Sequence, residues 1–250
     1  WTRDKYLDVI SVLSHFGADA VAFDVYFTEP SAKTISAHKI SGLTQIDSTT
    51  ITDLLSESDY DQQFRDVISK ANNVYLAQFA IPGDRPLKRS SDQEIALNWI
   101  RDNSPKLTVE PEKSNLARIE NFVPPLKSLR EASKGFAFAQ TVADIDGTRR
   151  RYPLLYQYGD VLFPSLALLI ACRHLGISIQ DVLVTPGKSI RLPNVRTADG
   201  TKKNVEIPID DQGTMFINWP GQWEESFVHY PHRGLQAAAE QSRLDRAKQL

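Results

Sequence analysis

Carboxylates and guanidinium groups concentrate in one run, Asp144-Ile145-Asp146-Gly147-Thr148-Arg149-Arg150-Arg151. Asp24, at the end of an apolar run, and Glu29, Asp144 and Asp146, which follow such runs, could converge. A cluster of oxygen ligands of this kind suits a hard divalent cation. The Asp144-x-Asp146-Gly147 pattern matches half a calcium loop and lacks the later ligands at the required spacing. The competing reading is structural and is the more frequent outcome for such residues: Asx turns, or ion pairs to Arg149 and Arg150. Arg149, Arg150 and Arg151 could bind an anion, but in a strand one of the three side chains points away from the other two. A solvated edge, or a single arginine locked to Asp24 or Asp144, is the expected outcome. The ligand-binding candidates are therefore Asp24, Glu29, Asp144, Asp146, Arg149 and Arg150.

No catalytic set accompanies them. The chain has no G-x-S-x-G, no phosphate-binding glycine loop and no dinucleotide fingerprint. His15, His38, His174, His229 and His232 are scattered, and no acidic residue lies at metal-ligand spacing beside His229 and His232. Cys172 is the sole cysteine, which excludes an internal disulfide and a cysteine-based metal cluster. No catalytic residue, metal or cofactor is expected, and a hydrolase built on the acidic residues is disfavoured. A metal- or small-molecule-binding module with a structural ligand stays open. The aromatic tail, Trp219, Trp223, Phe227 and Tyr230, is expected mainly as core, with an interaction surface as the alternative.

The elements that must position these residues read as α/β. Helical spacing over residues 4–16, stopped by Gly17, precedes the buried-type strand Ala20–Val25. Ser58 or Asp59 caps a helix to about Lys70, and Val74–Phe79 is a second core strand. Together they predict a mixed, largely parallel sheet with helices packed on its faces. Residues 30–57 and 82–123 read as loops or insertions, the second holding a short helix opened by a capping box at Ser91-Asp92-Gln93-Glu94. Leu126–Ala132 is a further helix. Gly135–Val142 and Leu154–Tyr158 are expected to pair as a hairpin through Asp146-Gly147. Leu166–Leu175 is the most apolar helix, and a β-rich C-terminal third carries a second hairpin around Ala198-Asp199-Gly200. Residues 1–234 are expected to form a single domain, with 235–250 as a helix whose thin apolar stripe needs a partner.

A net charge of −2 gives no reason to expect nucleic acid as a partner. No apolar run is long enough to span a bilayer. The absence of a start methionine, and a last residue inside a helical pattern, lead us to expect flanking segments on both sides.

The order of the motifs resembles the type-two CHASE domain. The resemblance is carried by Gly17-Ala18-Asp19-Ala20-Val21-Ala22-Phe23-Asp24-Val25-Tyr26-Phe27 with Glu29-Pro30-Ser31, by Asn73-Val74-Tyr75-Leu76 and by Asp144-Ile145-Asp146-Gly147-Thr148-Arg149-Arg150. It continues through Pro153-Leu154-Leu155, Phe163-Pro164-Ser165-Leu166-Ala167-Leu168, and Asp211-Gln212-Gly213 leading to Phe216-Ile217-Asn218-Trp219-Pro220-Gly221. It covers nearly the whole chain and departs in the Ser/Thr-rich residues 32–52 and at Trp219, where tyrosine is more usual. The resemblance implies an extracytoplasmic, periplasmic or extracellular sensory domain, without enzymatic activity of its own. Such a domain is tethered to the cytoplasmic membrane by flanking helices of a bacterial receptor with an adenylate or guanylate cyclase, histidine kinase or serine/threonine kinase as output. It implies no ligand residues. An unknown small-molecule or physical stimulus is the expected partner, with a homodimer among the expected assemblies.

Overall fold

Alternation along one strand splits this protein into two cores. In β2 (Val74–Pro82), Val74, Leu76 and Ala80 face one apolar cluster, while Tyr75 and Ala77 face another. A strand buried on both faces reads as a continuous apolar run, and Val74–Phe79 does so but for Gln78. The structure is a computed structural model, which describes residues 3–31, 47–50, 59–85, 87–222 and 226–247. Most of the Ser/Thr-rich stretch expected as an insertion, together with His38 and Trp223, lies outside the described residues.

β1 (Val21–Tyr26) and β5 (Gly135–Phe138) flank β2, both parallel to it, with Val21 opposite Val74 and Gly135 opposite Tyr75. β4 (Ile119–Val123) runs antiparallel to the second half of β2, Phe79 opposite Val123. Where β5 ends, a side chain continues the ladder. The Ala80 N–H donates to Gln140 Oε1 at 2.7 Å, and Gln140 Nε2 donates to the Ala80 carbonyl at 2.6 Å.

α1 (Asp4–His15), α2 (Tyr60–Ala71), α3 (Ser91–Asp102) and α4 (Lys127–Ala132) contribute to the first core through Ile10, Phe64, Ile68, Leu97 and Leu129. Local chemistry explains the bounds of α2: Asp59 accepts from the Gln62 N–H at its start, and Asn72 closes it at φ +52°. The capping box of α3 sits on Ser90 and Gln93, one residue earlier than the Ser91-Asp92-Gln93-Glu94 pattern predicts. Ser90 carries the hydroxyl that reaches the third helical N–H, so it wins over Ser91.

The second core holds α5 (Leu166–His174), capped by Ser165, against the other face of the sheet. With it packs a sheet ordered β11 (Lys202–Pro208), β10 (Ser189–Arg196), β9 (Leu183–Thr185) and β3 (Lys106–Leu107). β10 and β11 form the expected hairpin around Asp199-Gly200. The region 82–123 is not all loop, because β3 and the core strand β4 lie within it. Their short runs carry little periodicity, and pairing to β9 and β2 makes them strands.

The largest correction concerns the expected hairpin through Asp146-Gly147. β5 pairs with β2, whereas β6 (Arg151–Pro153) pairs antiparallel with β12 (Thr214–Phe216), Thr214 opposite Pro153. The hairpin lies next along the chain, between β7 (Leu155–Tyr158) and β8 (Val161–Pro164), turning at Gly159-Asp160. Burial of Phe136, Ala137 and Phe138 on both sheet faces outweighs the local turn signal. Gly213, ahead of β12, has φ +82°, and a Cβ there would come within 2.8 Å of Leu116. Its carbonyl accepts from the Leu154 N–H at 3.0 Å, so glycine lets the backbones approach.

α6 (His232–Ala247) returns to α1. The His232 ring meets Tyr6 edge-on at 5.7 Å, Gln236 Nε2 donates to the Lys5 carbonyl at 3.1 Å, and Ala239 is buried. The partner that the thin stripe needs is the first helix of the chain. Among the described residues, no helix is long and apolar enough to cross a membrane.

Candidate functional site

The Asp144–Arg151 corner owes its shape to its own backbone. The Gly147 N–H donates to the Asp144 carbonyl at 2.8 Å, the Asp144 N–H to the Thr148 carbonyl at 2.9 Å, and the Thr148 N–H to Asp146 Oδ1 at 3.0 Å. This is an Asx turn with Gly147 in the left-handed region at φ +80°.

The charges of the corner are spent on each other. Arg150 Nη1 lies 3.0 Å from Asp144 Oδ2, and its Nη2 lies 2.7 Å from Asp146 Oδ2. Arg151 adds a longer contact to Asp144 at 3.7 Å. The Arg150 guanidinium, with help from the Thr148 N–H, holds the Asp146 carboxyl down at about 2. Arg149 turns away and donates from Nε to Thr141 Oγ1 at 2.8 Å, while its carbonyl accepts from Trp219 Nε1 at 3.1 Å.

Of the six candidates, Asp144, Asp146 and Arg150 come together in direct contact, and Arg149 flanks them. Asp24 and Glu29 do not join them. Asp24 lies on the exposed alternation of β1 and acts on tyrosines: burial first, then the Asp24 charge, pushes Tyr152 up to about 12. The expected tie from the arginines to Asp24 is replaced by the local pairs to Asp144 and Asp146. Four residues of separation bring Asp146 within reach of Arg150 without ordering a long-range contact. Glu29 sits elsewhere, its carbonyl accepting from the buried Arg3. Among the described residues, no group of three or more His, Cys, Asp or Glu side chains is placed to hold a metal ion. A four-carboxylate cation site is thus not assembled.

The corner also presents exposed apolar side chains. Val142, Ile145, Phe216 and Trp219 are exposed, and the Arg151 guanidinium stands 4.7 Å from the centroid of the Phe216 ring. Phe227 and Tyr230 are exposed too, so the expectation that the aromatic tail is mainly core is corrected. β12 pairs with β6, and on its other side the Thr214 N–H donates to Asp210 Oδ1 at 2.8 Å. The exposed side chains suit contact with another surface.

A surface depression away from the corner is lined by Asp84, Glu112, Arg118, Gln157 and Asp160, which the sequence alone did not bring together. These residues come from separate segments, and no local motif joins them. The one available signal was Gln157, a polar side chain inside the apolar run Leu154–Tyr158.

A family model described as CHASE2 domain matches residues 1–242. No curated protein and no solved structure matches the chain.

Proposed function

Because the chain belongs to the CHASE2 domain family, a family of sensory extracellular domains found in cyclases and kinases, we propose that it is the extracytoplasmic input domain of a bacterial transmembrane receptor. A stimulus biases two states of the domain, and the bias reaches a cyclase or kinase output through the helices at its two ends. The domain itself performs no chemistry.

One observation carries this reading: α1 and α6 pack side by side through Tyr6, His232, Gln236 and the Lys5 carbonyl. α1 also delivers Ile10 to the first core, where Tyr6 packs against Phe23, Phe27 and Phe64. A change in that core therefore acts on the helix pair, and packed helices shift as units against one another.

The test uses the receptor that carries this chain. Ala239→Pro breaks α6 at its buried contact, and a cysteine pair at Lys5 and Gln236 locks α6 to α1. Both changes should uncouple the output from the stimulus while the receptor still reaches the membrane. Unchanged stimulus-dependent output in both variants would rule out transmission through this pair.

A further inference from the structure

Gln78 stands in the middle of β2 and is fully buried, at 0% exposure. Neither its Nε2 nor its Oε1 has a hydrogen-bond partner among the described residues. Alternation sets it on the face of Val74, Leu76 and Ala80, and Phe138, opposite it on β5, packs in the same first core. A buried amide normally meets a partner, because stripping it of water without one is unfavourable at both its ends. An apolar side chain of the same length would carry no such penalty.

The residue also marks the point where β2 changes its neighbours. β1 leaves just before it: Phe23 lies opposite Leu76 and Tyr26 opposite Ala77, so Asp24 and Val25 have no counterpart on β2. β4 arrives just after it, with Val123 opposite Phe79. β5 ends with Phe138 opposite Gln78, and Gln140 closes the gap beyond through its two bonds to Ala80. The amide of Gln140 is thus used in full by backbone, while that of Gln78 meets no described partner. Strand ends carry the fewest ladder bonds, so the sheet yields most readily at this point.

We infer that Gln78 is a built-in bias between two arrangements of the first core. In the arrangement seen, its unmet amide raises the free energy of the packed state. In the other, the ends of β1 and β5 part enough for the amide to bond with strand backbone or with entering water. The unmet bonds narrow the gap between the two, which is the condition under which a modest stimulus shifts the balance. Ile10 and Tyr6 of α1 pack in the same core, so the balance reaches the helix pair. That consequence rests on the sensory function proposed above, whereas the two-arrangement balance does not.

The test joins melting and exchange measurements on the 250-residue chain. Gln78→Met keeps the length of the side chain and removes the amide, so Tm should rise by at least about 4 °C. The same change at Gln140 strips two made bonds from Ala80, so Gln140→Met should lower Tm. Relaxation-dispersion NMR should find microsecond-to-millisecond exchange at residues 24–27, 77–80 and 138–140, and Gln78→Met should abolish it. A Tm that rises in neither Gln78→Met nor Gln78→Leu would show the amide already satisfied and overturn the inference. So would the absence of exchange at those residues, or exchange that Gln78→Met leaves unchanged. In the receptor, Gln78→Met should cut the stimulus-dependent change in output at least about tenfold. Exchange abolished by Gln78→Met, with the receptor still responding in full, would uphold the bias and defeat its sensory role.

Discussion

Arg3 and Asp61 form an ion pair in which the arginine side chain is 6% exposed and the carboxylate 20%. It ties the residue before α1 to the first turn of α2. The same guanidinium donates to the Glu29 carbonyl and lies 5.4 Å from the centroid of the Phe27 ring. Burial pulls the Arg3 guanidinium below its ordinary pKa, which is the desolvation that pairing must offset.

Removing one partner of such a pair strands the other. Arg3→Ala and Asp61→Asn should each cost about 3 kcal/mol, with Arg3→Lys intermediate because an ammonium cannot fork to Asp61 and the Glu29 carbonyl together. At about 2–4 °C per kcal/mol for a chain of this size, Tm should fall by about 6–12 °C in a calorimetric scan. A shift below about 1 °C would show that the pair contributes nothing net.

Arg130 and Asp92 make a comparable lock between α4 and the first turn of α3. Nη1 lies 2.8 Å from Asp92 Oδ2 and 3.1 Å from the Pro125 carbonyl. The hydrogen bond from Arg130 outweighs burial and holds the Asp92 carboxyl below its ordinary range. The unfolded chain therefore binds that proton more readily than the folded one. The stability from the pair is complete above the ordinary carboxylate pKa of about 3.9 and is lost as pH falls through the lower folded value. Arg130→Met should cost about 2 kcal/mol at pH 7, since Asp92 keeps partial access to water. It should cost progressively less as urea melts are moved down from pH 5 toward pH 3. A cost that does not shrink with acid would remove Asp92 as the source.

Asp146 offers the opposite case, a strong shift on an exposed group. Its carboxyl should stay ionised down to about 2, read by carboxyl-carbon NMR. Arg150→Ala should return it toward the ordinary range while leaving Tm nearly unchanged, because solvent screens the pair. A large loss of Tm in Arg150→Ala would mean the corner supports the fold rather than a surface.

Burial pushes the Cys172 thiol up to about 12, in the apolar second core. At pH 8 a thiol reagent should label the native chain only as fast as it unfolds, with one equivalent appearing at once in denaturant. Rapid labelling under native conditions would contradict the packing of α5.

Several features were legible because they are local. The caps at Asp59 and Ser165, the apolar face Phe64–Ile68, the run Val74–Phe79 and the Asp199-Gly200 hairpin each follow from residues within a few positions of one another. The Asp146-Gly147 turn was legible too, and it forms. What it connects was not, since a turn dipeptide fixes the direction of a few residues and not the strand that the next segment pairs with. The two-sided burial of β5 sends it to β2, and β6 is left to β12 across more than sixty residues of chain. The same limit applied to charge. Sequence spacing put Asp144, Asp146 and Arg150 within reach of each other, and they pair. Only the tertiary structure separated Asp24 and Glu29 from them, set α6 on α1, and gathered Asp84, Glu112, Arg118, Gln157 and Asp160 around one surface depression. Local propensity acts over one turn or one pleat, whereas such gatherings are decided by which apolar faces bury together. That is a property of the whole chain.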